Sequence, residues 1–176
     1  MVEKNTGAVG TSGLVGSWTL DPERTSVTFK TKALWVMPVK ASFKAVDGSG
    51  TVSEDGSVSG TIVLDASSID TNNKKRDEHL RGSDFFEVST YPTIEFAVHD
   101  ATITGDALVT LAGSLSVHGQ ERPVTVAAKV QIEGSDAVVT VETDIDRSEW
   151  GVSRTDLGAS LQNHVLVKAV FTRATS

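Results

Sequence analysis

Val109-Thr110-Leu111-Ala112-Gly113-Ser114-Leu115-Ser116-Val117-His118-Gly119-Gln120-Glu121-Arg122-Pro123-Val124-Thr125-Val126-Ala127-Ala128-Lys129-Val130-Gln131-Ile132 reads as strand, turn and strand. Val109, Leu111, Gly113, Leu115 and Val117 alternate with Thr110, Ala112, Ser114 and Ser116; after the turn, Val124, Val126, Ala128, Val130 and Ile132 alternate with Thr125, Lys129 and Gln131. A period of two places one set on a buried face and the other in water. His118-Gly119-Gln120 is short and turn-forming, so the two strands are antiparallel neighbours.

The same period extends outward in both directions. Upstream it places Val27, Phe29, Thr31, Ala33 and Trp35 on one face, then Val39, Ala41, Phe43 and Ala45, then Val58, Gly60, Ile62 and Leu64, then Ile94, Phe96 and Val98. Downstream it continues through Val139, Val141, Thr143 and Ile145, and through Val165, Val167, Ala169 and Phe171. Turn signals are Asp47-Gly48 with Ser49-Gly50, Asp55-Gly56, Gly105-Asp106 and Gly134-Ser135-Asp136. The expectation is an all-β domain of about eight antiparallel strands, closed into a barrel or folded into a sandwich; an eight-stranded barrel has the width to hold one small ligand.

The inward set contains many small residues, among them Ala41, Ala45, Gly60, Gly113, Ala128 and Ala169. Native cores are close-packed, and small inward residues leave room that a ligand would fill.

Composition limits the function classes. The 176 residues suffice for one domain with a sizeable core, and the absence of cysteine excludes disulfides and thiolate metal sites. Sixteen basic and 23 acidic residues give a net charge of −7, which argues against a broad nucleic-acid or anionic-membrane surface and leaves room for a local basic cluster. No apolar run has the length of a membrane span, and residues 1–16 lack a signal-peptide core, so the expectation is a cytoplasmic protein with no integral membrane segment. Residues 1–15, rich in Gly, Ser and Thr, are expected to be a flexible arm, and residues 16–176 the barrel domain.

One block breaks the alternation with concentrated polar chemistry: Ser67-Ser68-Ile69-Asp70-Thr71-Asn72-Asn73-Lys74-Lys75-Arg76-Asp77-Glu78-His79-Leu80-Arg81-Gly82-Ser83-Asp84-Phe85-Phe86. Thr71 or Asn72 is expected to cap a helix that runs to Arg81 and stops at Gly82, with Leu80 as its apolar anchor. Positions 76 and 79 share a helical face and Asp77 faces Arg81. Arg76 and His79 therefore either grip an anion at a barrel mouth or clamp the helix to strand ends. A second aperiodic stretch, 146–163, opens with the helical turn Arg147-Ser148-Glu149-Trp150-Gly151.

Metal and nucleophile motifs are missing. His79, His99, His118 and His164 have no ligand spacing, there is no Gly-x-Ser-x-Gly elbow and no phosphate or dinucleotide loop, and His118 reads as a hydrogen-bonded turn residue. Asp77, Glu78 and Asp84 around His79 read as salt-bridged surface before they read as acid–base machinery.

Several ordered motifs resemble the YceI-like family, from Gly16-Ser17-Trp18-Thr19-Leu20-Asp21-Pro22 to the final strand. They are Ser68-Ile69-Asp70-Thr71 with Arg76-Asp77-x-His79-Leu80, Asp84-Phe85-Phe86, Tyr91-Pro92-x-Ile94-x-Phe96, Gly113-x-Leu115-x-Val117-His118-Gly119 with Pro123-Val124, and Asp146-Arg147-x-x-Trp150-Gly151. The resemblance implies an eight-stranded lipocalin-like antiparallel barrel with a short helical insertion, holding a polyisoprenoid or other long amphiphile in an apolar tunnel without catalysis. Many relatives are periplasmic.

The site expected on that resemblance has two parts. Phe29, Trp35, Phe43, Ile62, Phe85, Phe96, Leu115 and Val126 line the apolar tunnel, an inference from alternation; Arg76, Asp77, His79 and Arg147 hold the head group or form a lid. The partner is an isoprenoid chain, such as a quinone tail or a polyprenyl phosphate, or a fatty amphiphile, with no metal, no other cofactor and no nucleic acid; strand edges allow a homodimer. The alternatives are an enzyme with His79 and Asp77 or Asp84 as acid–base pair, and a filled barrel serving as a structural or stress-response module.

Overall fold

The structure, a computed structural model, describes residues 13–33, 37–152 and 160–174. Its elements are β1 (Gly16–Leu20), β2 (Ser26–Ala33), β3 (Met37–Val52), β4 (Val58–Asp70), α1 (Lys74–Arg81), β5 (Thr93–Gly105), β6 (Leu108–Val117), β7 (Gln120–Glu133), β8 (Asp136–Asp146) and β9 (Gln162–Arg173). All pairings are antiparallel, and the order β3-β2-β9-β8-β7-β6-β5-β4 closes on itself through β3 and β4. The barrel, and not the sandwich, is the architecture.

Nine strands make eight staves because β1 and β2 share one. β1 pairs with the second half of β3 and the end of β9, and β2 pairs with the first half of β3 and the start of β9. The break is a 3₁₀ turn at Pro22–Arg24, capped by Asp21, whose carboxylate accepts from the Glu23 N–H at 3.1 Å. Arg24 there bonds Asp21 at 2.7 Å and Asp136 at 2.8 Å.

The expected turn at Asp47-Gly48-Ser49-Gly50 does not form. β3 runs through it, with a register shift between Ala45 and Asp47, and pairs Gly48 with Ile62 and Gly50 with Gly60. Glycine inside a strand marks a bulge or a close approach, and a Cβ on Gly48 would sit 2.8 Å from Cβ of Leu20 in β1. The shift inverts the alternation, so Gly48 turns inward where Ala45 did before it. β4 likewise extends to Asp70, through residues expected in the helical block.

Among the expected inward residues, Val27, Ala41, Phe43, Ala45, Leu64, Ile94 and Ala169 belong to one buried cluster with Leu20, Ala66 and Ile69. Two departures have local causes. Ile132 is 48% exposed, close to the β7–β8 hairpin. Gly113 leaves no room for a ligand, because a Cβ there would lie 1.9 Å from the backbone oxygen of Ala97 on β5, beside the shift between Val98 and Asp100.

Candidate ligand cavity

The inward faces enclose a cavity of about 570 Å³, within the range typical of small-molecule sites. It runs from Leu14, Trp18 and Gly56 at the end holding the β3–β4 hairpin to Phe85, Arg147 and Trp150 at the end holding α1. Phe29, Phe43, Ile62, Phe85, Phe96, Leu115, Val126 and Arg147 all line it. Trp35 lies outside the described residues. Phe43 stacks on Phe29 with ring centroids 5.4 Å apart and meets Phe86 edge-on at 5.7 Å. Phe86, Trp18 and Trp150 also line the wall. Sequence reasoning assigned none of the three to the wall, since Phe86 and Trp150 fall in aperiodic segments and Trp18 in a strand of five residues.

Asn73, and not Thr71 or Asn72, caps α1, its side chain accepting from the Arg76 N–H at 3.0 Å. Among the described residues Asp77 and Arg81 form no ion pair with each other. The buried carboxylate of Asp77 accepts the Thr71 N–H at 2.9 Å and the Thr71 hydroxyl at 2.5 Å. Arg76 donates to the Thr71 hydroxyl at 2.7 Å and the Thr71 carbonyl at 2.8 Å, and Arg81 to the carbonyls of Ser67 and Ile69. These charged side chains fasten the helix to the end of β4 by charge-assisted bonds. Leu80 and Thr71 reach the cavity wall; Arg76, Asp77 and His79 are outside it. His79 places Nε2 3.4 Å from Asp84 and its ring edge-on to Phe85 at 5.2 Å.

Among the described residues Arg147 is the cation of the wall. Its Nε donates to the Ser160 carbonyl at 3.0 Å and Nη1 to the Val152 carbonyl at 2.7 Å, and its guanidinium lies 5.4 Å from the centre of the Phe85 ring. Burial pushes its pKa down, partly offset by neighbouring Asp146, yet an arginine stays charged. Asp146 caps the 3₁₀ turn Arg147–Trp150 by accepting from Ser148, whose hydroxyl and N–H hold the Asp146 carboxyl below the usual range. The Trp150 indole N–H donates to the Leu115 carbonyl at 2.7 Å, which pins this turn to β6.

The wall is not uniformly sealed. β7 pairs with β8 only from Ala128↔Val141 to Glu133↔Asp136, so residues 120–127 of β7 and 142–146 of β8 lack this ladder. Consecutive residues on both sides of the gap, Pro123 to Val126 and Thr143 to Asp146, line the cavity, so it reaches between the two strands there. Arg122 bridges the gap by donating from Nε to the Glu149 carbonyl.

His118 departs from the hydrogen-bonded turn residue expected. It sits at φ 55° with its ring 4.7 Å from that of Tyr91, and among the described residues neither ring nitrogen has a hydrogen-bond partner. On the outer face, Ser114 donates to Glu121 at 2.8 Å while His99 stands 3.5 Å away, so the carboxylate engages the hydroxyl instead of the imidazole and no relay is assembled. Among the described residues no group of three or more His, Asp or Glu is arranged to hold a metal, and no helix is long and apolar enough to cross a membrane.

Comparison with known proteins decides the family, since the model of the YceI-like domain matches residues 18–172. The chain belongs to the YceI-like family. It is 29% identical over 169 residues to Protein YceI of Escherichia coli O157:H7, covering 90% of this chain and 87% of that protein. A UPF0312 protein of Yersinia pestis (strain Pestoides F) is 28% identical with the same coverage. YceI-like barrels of known structure share the fold: BcnA of Burkholderia cenocepacia has a TM-score of 0.76 at 21% identity, covering 89% of this chain and 99% of that one. A polyisoprenoid binding domain from Saccharophagus degradans, implicated in plant cell wall breakdown, has a TM-score of 0.72 at 18% identity, covering 89% and 98%.

Proposed function

We propose that this protein is a non-enzymatic binding protein that carries a polyisoprenoid or similar long-chain amphiphile inside its barrel. The observation that carries the reading is the cavity of about 570 Å³, walled by Phe29, Phe43, Ile62, Phe96, Leu115 and Val126, with Arg147 at one end. An apolar chain in such a wall gains roughly 0.8 kcal/mol for each methylene removed from water, so affinity needs no reacting group. Arg147 offers the head group a charge among carbonyl acceptors. Support also comes from the polyisoprenoid binding domain that shares the fold.

An acid–base role for His79 with Asp77 has no support in the geometry, since Asp77 is committed to Thr71 and neither side chain lines the cavity. The test is native mass spectrometry with lipid extraction on freshly purified protein. A retained isoprenoid or fatty mass is the expected result. No co-purifying lipid, together with no saturable binding of polyprenols, overturns the reading.

A further inference from the structure

The outer face of three adjacent strands is segregated in charge. β2, residues 37–46 of β3, and β9 contain no aspartate or glutamate, although the chain has 23 acidic residues, and they hold five of its nine lysines: Lys30, Lys32, Lys40, Lys44 and Lys168. All five are exposed. Lys30 of β2 stands directly opposite Lys40 of β3 and, on its other side, opposite His164 of β9. Like charges placed opposite one another weaken a sheet, so this row works against the fold. None of these lysines forms an ion pair among the described residues. Of the acids on the bordering strands, Glu142 and Asp144 flank His164 at 2.7 Å and 2.8 Å, Asp65, opposite Lys44, accepts from Ser67, and Asp70, opposite Ser42, accepts the Asn72 N–H at 2.8 Å.

The face adjoins the cavity. Thr31, between Lys30 and Lys32, and Val39, before Lys40, point the other way and line it. The Lys32 carbonyl accepts the Ser160 N–H at 2.8 Å, and the Ser160 carbonyl accepts from Arg147, which puts Lys32, with Lys30 and Lys40 beside it, at the Arg147 end; Lys44 and Lys168 lie farther along, near Ser26. Three apolar side chains stand out in water on the same strands: Leu166 of β9 at 42% exposure, and Met37 and Val46 of β3 at 55% and 51%.

We infer that this lysine face docks the protein on an anionic membrane surface, presenting the Arg147 end of the barrel to the bilayer. The inference rests on the lipid-carrier reading, for which an approach to a membrane is the loading step. Charge type selects the partner. Every fully cationic side chain of the face is a lysine until Arg173 at its far edge, and lysines act as point charges on a diffuse anionic surface instead of forking onto single phosphates. Exposed Leu166 and Met37 suit the apolar boundary of a bilayer, and none of the exposed side chains described on the face is an aromatic on which a base could stack. The attraction is local, since screening confines it to about 10 Å from the lysines while the net charge of −7 is spread over the whole protein.

The test is cosedimentation of the full chain with vesicles of phosphatidylcholine alone or with about 30% phosphatidylglycerol, at low and high salt. The expected result is binding to the anionic vesicles only, weakened by salt. The variant K30Q/K32Q/K40Q should lose roughly tenfold or more in affinity, since each surface lysine contributes a few-fold. The variant T102E/K129Q/Q131E, with the same change in charge but placed on exposed positions of β5 and β7 away from the Arg147 end, should stay near wild type. Equal binding to both vesicle types, binding to neither, or equal losses in the two variants overturns the proposal, as does tighter binding to a short DNA duplex than to anionic vesicles. Binding of a dansyl-labelled polyprenol in solution separates the two readings. Normal polyprenol binding without vesicle binding removes docking alone, while absent polyprenol binding with intact vesicle binding removes the carrier reading and leaves docking standing.

Discussion

The carboxylate of Asp77 accepts both the N–H and the hydroxyl of Thr71, at 2.9 Å and 2.5 Å, and all of this is buried. Two donors at the end of β4 thus depend on one side chain of α1. Asp77→Ala leaves both without an acceptor and frees Arg76 from an ordered Thr71 hydroxyl. The expected cost is about 2–4 kcal/mol of stability, from the desolvated donors and the lost charge-assisted bonds. Chemical denaturation checks it, and a change below about 0.5 kcal/mol would show that the clamp is dispensable.

Cavity filling and cavity enlargement should act oppositely. Val126 lines the cavity without being buried, so Val126→Trp is expected to keep the fold and reduce polyprenol affinity at least tenfold by occupying the space of several methylenes. Phe43 is buried between Phe29 and Phe86, so Phe43→Ala should cost about 3–5 kcal/mol of stability. Paired measurements of thermal stability and ligand titration distinguish them. Equal effects on both quantities in the two variants would mean that the interior is core and not a site.

The barrel wall was legible wherever one residue followed another at a period of two, as at Val27, Phe29 and Phe43, because a pleated strand with one dry face imposes that period. It failed at Gly48 and Gly50, where the strand runs on and Gly48 answers to a close approach by Leu20 that no local pattern encodes. The break at Asp21 hid the short β1 for a similar reason. Phe86 and Trp150 were missed as wall because they lie outside any period. The sequence leaves the clamp of α1 open between two readings because its decision rests on Thr71, a residue whose neighbours Asn72 and Asn73 are equally good caps. Only the tertiary approach of Asp77 separates them.

His164 makes a pH prediction. Asp144 and Glu142, bonded to its two ring nitrogens, raise its pKa above the usual histidine value. A raised folded-state pKa means that the stabilising contribution is fully present below the unfolded value of about 6.5 and is lost as pH rises through the folded value. The expected titration of the His164 ring by NMR is therefore centred above 6.5. Stability should decline more steeply across that window in the wild type than in His164→Gln. The pair is exposed and screened, so the decline is small and should shrink further in high salt.

Arg122 spans the gap beside β7. Before Ala128 the β7–β8 ladder is absent, and the Arg122 Nε to Glu149 carbonyl bond joins the β7 edge to the 3₁₀ turn that carries Arg147 and Trp150. The bond is exposed, so its loss should alter stability by no more than about 1 kcal/mol. Its place across an opening of the cavity gives it a kinetic consequence. In Arg122→Ala, of the hydrogen bonds among the described residues that of the Trp150 indole to β6 is left to hold the turn on that side, and opening of the gap no longer has to break two bonds. Release of a dansyl-labelled polyprenol is expected to be about fivefold faster, the effect of roughly 1 kcal/mol removed from an opening barrier. Affinity should change far less, provided association speeds up with release. Stopped-flow release against an unlabelled competitor measures this, and an unchanged rate in Arg122→Ala would assign exchange to a barrel end instead of the β7–β8 gap.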